Sequence, residues 1–257
     1  MNHTDRLRRT LDQLEELLIS LQEDGIREVP FEAPLAGRAP GPGAAPARTP
    51  ASPGARDSTP VKAGLARIAS EAAACTRCTL HAGRRRAVPG QGAAAPELVF
   101  VGEAPGLEED RSGQAFVGPA GEMLTRILAA MGLTRDEVFI TNVLKCRTPA
   151  DRTPLPGEVA ACKPFLRAQI EALAPRVIVA LGPTAAAALA GQDAAPAFTP
   201  GAWGVLGQAD VLATYHPAYL LDHPEAKAQV WADMKAVLAK LGRPVPARSA
   251  PAPKRPH

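Results

Sequence analysis

Four cysteines, one histidine and one asparagine are the residues of this chain whose types and spacing could do chemistry. Cys75 and Cys78 form a C-x-x-C pair, and Cys146 and Cys162 follow with fifteen residues between them. A two-residue gap lets one short turn aim both sulfurs at a common centre, and the second pair completes four thiolate positions. Such a donor set suits a structural zinc or a [4Fe–4S] cluster, and spacing alone does not separate the two. Buried cysteines serving as small apolar filler are the plainer alternative. Cysteines in a reducing compartment favour metal over disulfides. No histidine is needed as a ligand, which leaves the histidines for other work.

His216 follows an apolar run and is fixed by the next residue in His216-Pro217-Ala218-Tyr219-Leu220-Leu221. An imidazole so held can donate to an oxygen that gains charge during a reaction. Asn142 closes another apolar run, and its amide offers a donor and an acceptor together, the pattern that reads an imide edge. An amide satisfied by backbone is the alternative. The turn Gly102-Glu103-Ala104-Pro105-Gly106 lets backbone approach a ligand closely. It matches neither a Walker loop nor a dinucleotide fingerprint. Glu103, Glu108, Glu109 and Asp110 crowd that loop, a density suited to orienting water rather than cradling phosphate; Glu108 and Asp110 read as a solvated acidic turn. Phe116, set among glycines, is either core or a stacking face for a flat ring. Leu220 and Leu221 could wedge into a base stack. His81 and His223 read as surface residues, and no G-x-S-x-G elbow is present.

These residues need a frame. Leu98–Val101, Val138–Thr141, Val177–Leu181 and Val211–Thr214 are short β-prone runs, apolar enough to be buried on both faces. Helical stretches near Gly121–Met131, Glu158–Leu173, Pro183–Ala190 and Pro224–Leu241 alternate with them. The expected fold is therefore α/β, a three-layer sandwich with a central four-stranded, mainly parallel sheet flanked by helices. Ligands of such sheets bind beyond the carboxyl ends of the strands, where Gly102-Glu103, Asn142, Gly182 and His216 fall.

Outside this frame, residues 1–28 carry Leu7, Leu11, Leu14, Leu18 and Leu21 at a/d spacing and predict an amphipathic helix, a docking element for a protein partner or one that folds back on its own chain. Residues 29–62 form a Pro/Ala-rich linker expected to lack fixed structure, and 243–257 a similar basic tail. The folded domain is expected over 63–242. The net charge of +3 over 257 residues permits a polyanionic partner without requiring one, and aromatic residues at 4% make a broad stacking platform for single strands improbable. No run spans a bilayer and no signal core opens the chain, so a cytoplasmic, monomeric protein without membrane contact is expected.

Taken together, these segments resemble the iron–sulfur (family four) uracil-DNA glycosylases. The resemblance rests on Cys75-Thr76-Arg77-Cys78, Gly102–Gly106 with Glu109-Asp110, Gly113-Gln114-Ala115-Phe116-Val117-Gly118, Thr141–Arg147, Cys162-Lys163-Pro164 and His216–Leu221, in one order across Cys75 to Leu241. It implies a [4Fe–4S] cluster on Cys75, Cys78, Cys146 and Cys162, and excision of uracil flipped out of DNA. Phe116 would stack on the base and Asn142 would read its edge. His216 would donate to the uracil oxygen, and backbone at Glu103 and Ala104 would contact base or water. Glu103 and Glu109 are the candidates for activating water, and Leu220 or Leu221 would fill the gap. Asp222 stands where relatives often carry a basic residue, and Arg84, Arg85, Arg86, Lys145, Arg147 and Arg152 are candidates to compensate on a phosphate-facing surface. No histidine lies between Phe116 and Asn142 to trap the sugar covalently, as another branch does. The competing reading is a non-catalytic, metal-containing DNA-binding or repair-interaction module.

Overall fold

The computed structural model describes residues 58–190 and 198–246, all within the compact unit Pro53–His257. The leucine-seamed segment and nearly all of the linker lie outside the described residues. In chain order the elements are α1 (Thr59–Ala74), β1 (Gln91–Gly92), β2 (Leu98–Gly102), α2 (Leu107–Ser112), α3 (Pro119–Ala130), β3 (Phe139–Asn142), α4 (Pro156–Leu173), β4 (Val177–Leu181), α5 (Pro183–Leu189), β5 (Trp203–Leu206), β6 (Ala209–Thr214), α6 (Tyr219–Asp222) and α7 (Lys227–Leu241). Short 3₁₀ turns precede α4, the helix that carries Cys162, and α7.

The sheet runs β1-β3-β2-β4-β6-β5. Its four inner strands are parallel and are the four expected from apolar runs. The sheet nevertheless has six strands, because an antiparallel strand closes each edge. Neither edge strand has an apolar run to announce it: β1 is two residues long, and β5 is largely exposed and broken by Gly204. Pairing to an existing edge makes them strands, not their own side chains.

Every residue of β2, β3 and β4 is buried, which is why these strands read as continuous apolar runs rather than alternating ones. One face, with Leu98, Phe100, Ile140 and Val179, packs on Leu124 and Leu128 of α3 and Val230, Met234 and Val237 of α7. The other, with Val99, Val101 and Ile178, packs on Leu166 and Ile170 of α4 and Ala185 and Leu189 of α5. A third cluster, with Ile68, Ala72, Leu80, Leu144 and Phe165, joins α1 to α4 around the cysteines.

Two expected boundaries shift. The linker was expected to reach residue 62, yet α1 starts at Thr59 because Pro60 occupies its first turn, where a missing N–H costs nothing. The tail was expected from residue 243, yet Arg243 is docked, its guanidinium 3.1 Å from Glu97 and 3.9 Å from Glu137. No described helix is long and apolar enough to cross a membrane.

Candidate active site

The strand register sets the site. Gly102 and Asn142 are partners at the carboxyl ends of β2 and β3, and Leu181 and Thr214 at those of β4 and β6. Asn142 is buried, and its Oδ1 is the one buried side-chain polar atom among the described residues without a hydrogen-bond partner. An acceptor in that state is costly unless a donor reaches it. A Cβ at Gly102 would fall 2.4 Å from that oxygen and 2.5 Å from Phe116 Cζ. Glycine thus keeps open the ground between the amide and the ring.

Phe116 is both core and ring face. It is buried among core residues, and its ring centroid lies 5.6 Å from that of His216 with a 32° tilt. Its φ of 55° is left-handed, an expensive choice for a bulky residue that persists only when surroundings enforce it. Three contacts do so. Glu109 Oε1 accepts from Val117 N (2.9 Å) and Gly118 N (3.0 Å), while Oε2 accepts from Gly106 N (3.0 Å). Arg135 Nη2 donates to the Ala115 carbonyl at 2.6 Å. Gly121 passes so close that a Cβ there would sit 1.8 Å from the Phe116 carbonyl oxygen. Sequence reasoning missed Arg135, which is remote along the chain, and took Gly121 as an ordinary helix start. Glu109, expected as a candidate base, has its two oxygens engaged by three amides and serves as a buckle between two turns.

His216 Nδ1 accepts from Ala218 N at 3.1 Å, so the proton of the neutral ring sits on Nε2. Burial pushes the imidazole down to about 4, with the charge of Glu109 pulling the other way. The ring is therefore neutral near pH 7 and donates from Nε2. Gly182, at φ 87°, backs the side chain, since a Cβ there would lie 3.3 Å from His216 Cβ. Glu103 is half-buried and accepts through Oε2 from Thr184 Oγ1 at the start of α5, which leaves it the less encumbered of the two candidate carboxylates. Ala104 is half-buried and packs toward the cysteine cluster.

Other expectations divide. Leu220 is core at 1% exposure, whereas Leu221 is 43% exposed, so only Leu221 can project as a wedge. His81 is exposed, and His223 is half-buried and stacked on Tyr219. Asp110 is not a solvated turn residue: it is buried and accepts from Arg85 N at 2.9 Å. Of the cations expected to face phosphate, Arg85 and Arg86 are exposed. Arg147 is held by Asp151 and Arg152 by Glu158. Lys145 does not face phosphate at all; it is sealed in the core, with Nζ 2.7 Å from Thr141 Oγ1, the Asn142 carbonyl and Gln169 Oε1. Burial pushes it down to about 7, with the charge of Cys162 pulling the other way.

All four cysteines line one cavity with Ala72, Arg77, Arg84 and Phe165. Donors approach their sulfurs: Arg84 Nη1 to Cys146 at 3.1 Å, Lys145 N to Cys162 at 3.2 Å, and Arg77 Nε to Cys75 at 3.5 Å. Burial pushes the Cys162 thiol up to about 11 and raises that of Cys146, so these sulfurs ionise readily only against a cationic centre. Among the described residues no three His, Cys, Asp or Glu side chains are arranged to hold a single metal ion. Four cysteines around one shared cavity are a soft donor set of the kind that thiophilic metals and iron–sulfur groups take.

The family model of the uracil DNA glycosylase superfamily matches residues 89–235, which include Asn142, Phe116 and His216. The chain is 40% identical over 189 residues to a type-4 uracil-DNA glycosylase of Archaeoglobus fulgidus, covering 70% of this chain and 94% of that protein. It is 48% identical over 151 residues to a type-4 uracil-DNA glycosylase of Thermotoga maritima, covering 57% and 78%. To a type-5 uracil-DNA glycosylase of Pyrobaculum aerophilum it is 35% identical over 153 residues, covering 52% and 67%.

Two outcomes are expected from this geometry. Gly121→Ala should destabilise the fold by about 1–3 kcal/mol, read by thermal unfolding, because the added methyl must push the Phe116 turn aside. The imidazole of His216 should titrate near 4 by NMR rather than near its usual value. Since an unfolded chain binds that proton more readily, stability should fall as pH drops through the window from the ordinary histidine value towards 4, and His216→Gln should flatten that slope. Unchanged slopes in the two proteins would show that His216 titrates normally.

Proposed function

The chain belongs to the uracil DNA glycosylase superfamily, and from that premise we propose how its side chains excise a base. The enzyme is a uracil-DNA glycosylase of DNA repair, a hydrolase that cleaves the N-glycosidic bond of uracil and leaves an abasic site. Its substrate is DNA, and the target nucleotide must leave the stack to reach Asn142, which lies buried at the carboxyl end of β3.

The observation that carries the mechanism is the unpartnered Oδ1 of Asn142, set beside Phe116 and His216. Uracil presents one N–H between two carbonyls, so its N3–H meets that oxygen while the ring lies against Phe116. Cytosine offers an acceptor at the same place and leaves Oδ1 unpaired, a large penalty in a buried site. As the C1′–N1 bond breaks, its electron pair moves into the ring, and His216 Nε2–H donates to the uracil oxygen that gains charge. A neutral imidazole performs this without needing a proton from solvent, and a preorganised donor of this kind contributes ~10²–10³ in rate. Water then bonds to C1′ and gives up a proton. Glu103 orients that water, while Glu109 holds the Phe116 turn. Leu221, exposed at the turn whose other leucine, Leu220, is anchored in the core, occupies the place of the flipped nucleotide. None of these side chains is an amine nucleophile, so strand cleavage by a Schiff base is not part of the reaction.

Cys75, Cys78, Cys146 and Cys162 would hold a [4Fe–4S] cluster, the group that the shared cavity and its sulfur-directed donors suit. When bound, it supplies a cross-link rather than a redox step, because excision transfers no electrons. The link ties the end of α1 to the loop after β3 and to α4, behind Asn142.

A uracil-containing duplex treated with the protein and then alkali should be cut at uracil, whereas one carrying cytosine there should stay intact. His216→Ala should slow single-turnover excision ~10²–10³-fold while folding normally; an unaffected rate would remove His216 from the mechanism. Protein purified without oxygen should be brown and hold about four iron atoms per chain. Cys162→Ser should lose most of that iron, and full iron content in this variant would exclude Cys162 as a ligand.

A further inference from the structure

The turn from β4 into α5, Gly182-Pro183-Thr184, touches two of the proposed catalytic groups at once. Its first residue backs His216, and Gly182 N donates to the Thr214 carbonyl at 2.8 Å, which ties the turn to the end of the strand that delivers the imidazole. Its third residue donates its hydroxyl to Glu103 Oε2. Pro183 stands between them with a fixed φ, so the two contacts do not drift independently. A threonine at a helix start commonly spends its hydroxyl on nearby backbone. Here α5 has no side-chain cap, and the hydroxyl reaches a residue 81 positions away in the chain. The main chain of Glu103 is held separately: Leu144 N donates to its carbonyl at 3.0 Å, and Val143 N to that of Gly102 at 2.9 Å. Backbone and one side-chain oxygen are thus fixed from different elements, while among the described residues no donor reaches Oε1.

We propose that Thr184 is a positioning residue of the excision reaction: its hydroxyl locks the Glu103 side chain so that the free oxygen faces the water that attacks the sugar, and its turn keeps that carboxylate in a set relation to His216. The inference rests on the reading of Glu103 given above. Thr184 touches neither base nor water and acts through Glu103. A glutamate side chain has several rotatable bonds, and an unheld one on half-buried ground spreads over several rotamers. Holding it removes that cost from the step in which the C1′–N1 electron pair leaves with uracil, the water oxygen bonds to C1′ and a water proton passes to Glu103. Asn142 and Phe116 hold the base without Glu103, so the effect falls on the rate at saturation rather than on the affinity for DNA.

A double-mutant cycle separates this from a merely structural role. Single-turnover excision, with enzyme in excess over a uracil-containing duplex, is measured for the wild type, Thr184→Val, Glu103→Gln and the double variant, together with the enzyme concentration at half-saturation. Thr184→Val should slow the saturated rate ~10-fold, the loss of one hydrogen bond to a charged group, and leave half-saturation within about twofold of wild type. Thr184→Ser, which keeps the hydroxyl, should recover most of the rate. In the Glu103→Gln background Thr184→Val should slow the reaction by less than about twofold, because the carboxylate it positions is gone. Thr184→Ala takes the place of Thr184→Val if the latter fails to fold. No slowing in Thr184→Val, no recovery in Thr184→Ser, or the same slowing in both backgrounds overturns the proposal. A Glu103→Gln protein with the wild-type rate overturns the reading of Glu103, and this inference with it. A wild-type protein that releases no uracil overturns the glycosylase reading itself, and both with it.

Discussion

Gly102 and Asn142 face each other across two parallel strands, and the other groups of the site take their places from that pair. The register is enforced because β2 and β3 are buried on both faces; a slip of one residue would put every side chain on the wrong layer. With the pair level, the absent side chain of Gly102 leaves room between the amide and the Phe116 ring. A methyl there would collide with both, so the ligand's berth is defined by an atom the chain does not have. His216 arrives from β6, which the inner strand β4 holds in register with β2.

Backbone strain at Phe116 is the second element of the design. Its left-handed conformation is held by a carboxylate, a guanidinium and a glycine drawn from three separate stretches of chain. The ring is therefore fixed before any base arrives, which lowers the entropy that binding must oppose. This also distinguishes the two acidic residues of the loop. Glu109 holds structure with both oxygens, and Glu103, tied by one hydroxyl, retains capacity for water.

Charge is distributed in keeping with a reaction that expels an anion. The imidazole of His216 is uncharged near neutral pH, and Lys145 Nζ is bonded to the main-chain carbonyl of Asn142 rather than to its side chain. Lys145 N is bonded to Cys162 Sγ and Lys145 Nζ to the Asn142 carbonyl, so the short stretch from Asn142 to Cys146 joins the buried amide to the cysteine cavity.

Asn142, Phe116 and His216 as candidates, the grouping of the four cysteines and the four inner strands were all legible in the chain, because each depends on local properties: a motif's spacing, a turn's glycines, or a run of apolar residues long enough to be a buried strand. What escaped notice depends on distance in space. Edge strands β1 and β5 exist through pairing alone. Arg135 and Gly121 matter only because the fold brings them to Phe116. Asp110 and Lys145 looked like ordinary surface charges until burial removed their water, and Leu220 and Leu221, identical neighbours in sequence, were separated by the turn of α6 into core and projection. Side-chain identity and spacing thus determined which chemistry is present, whereas burial, which no short stretch of chain decides for itself, determined which charges act, on what, and through which neighbours.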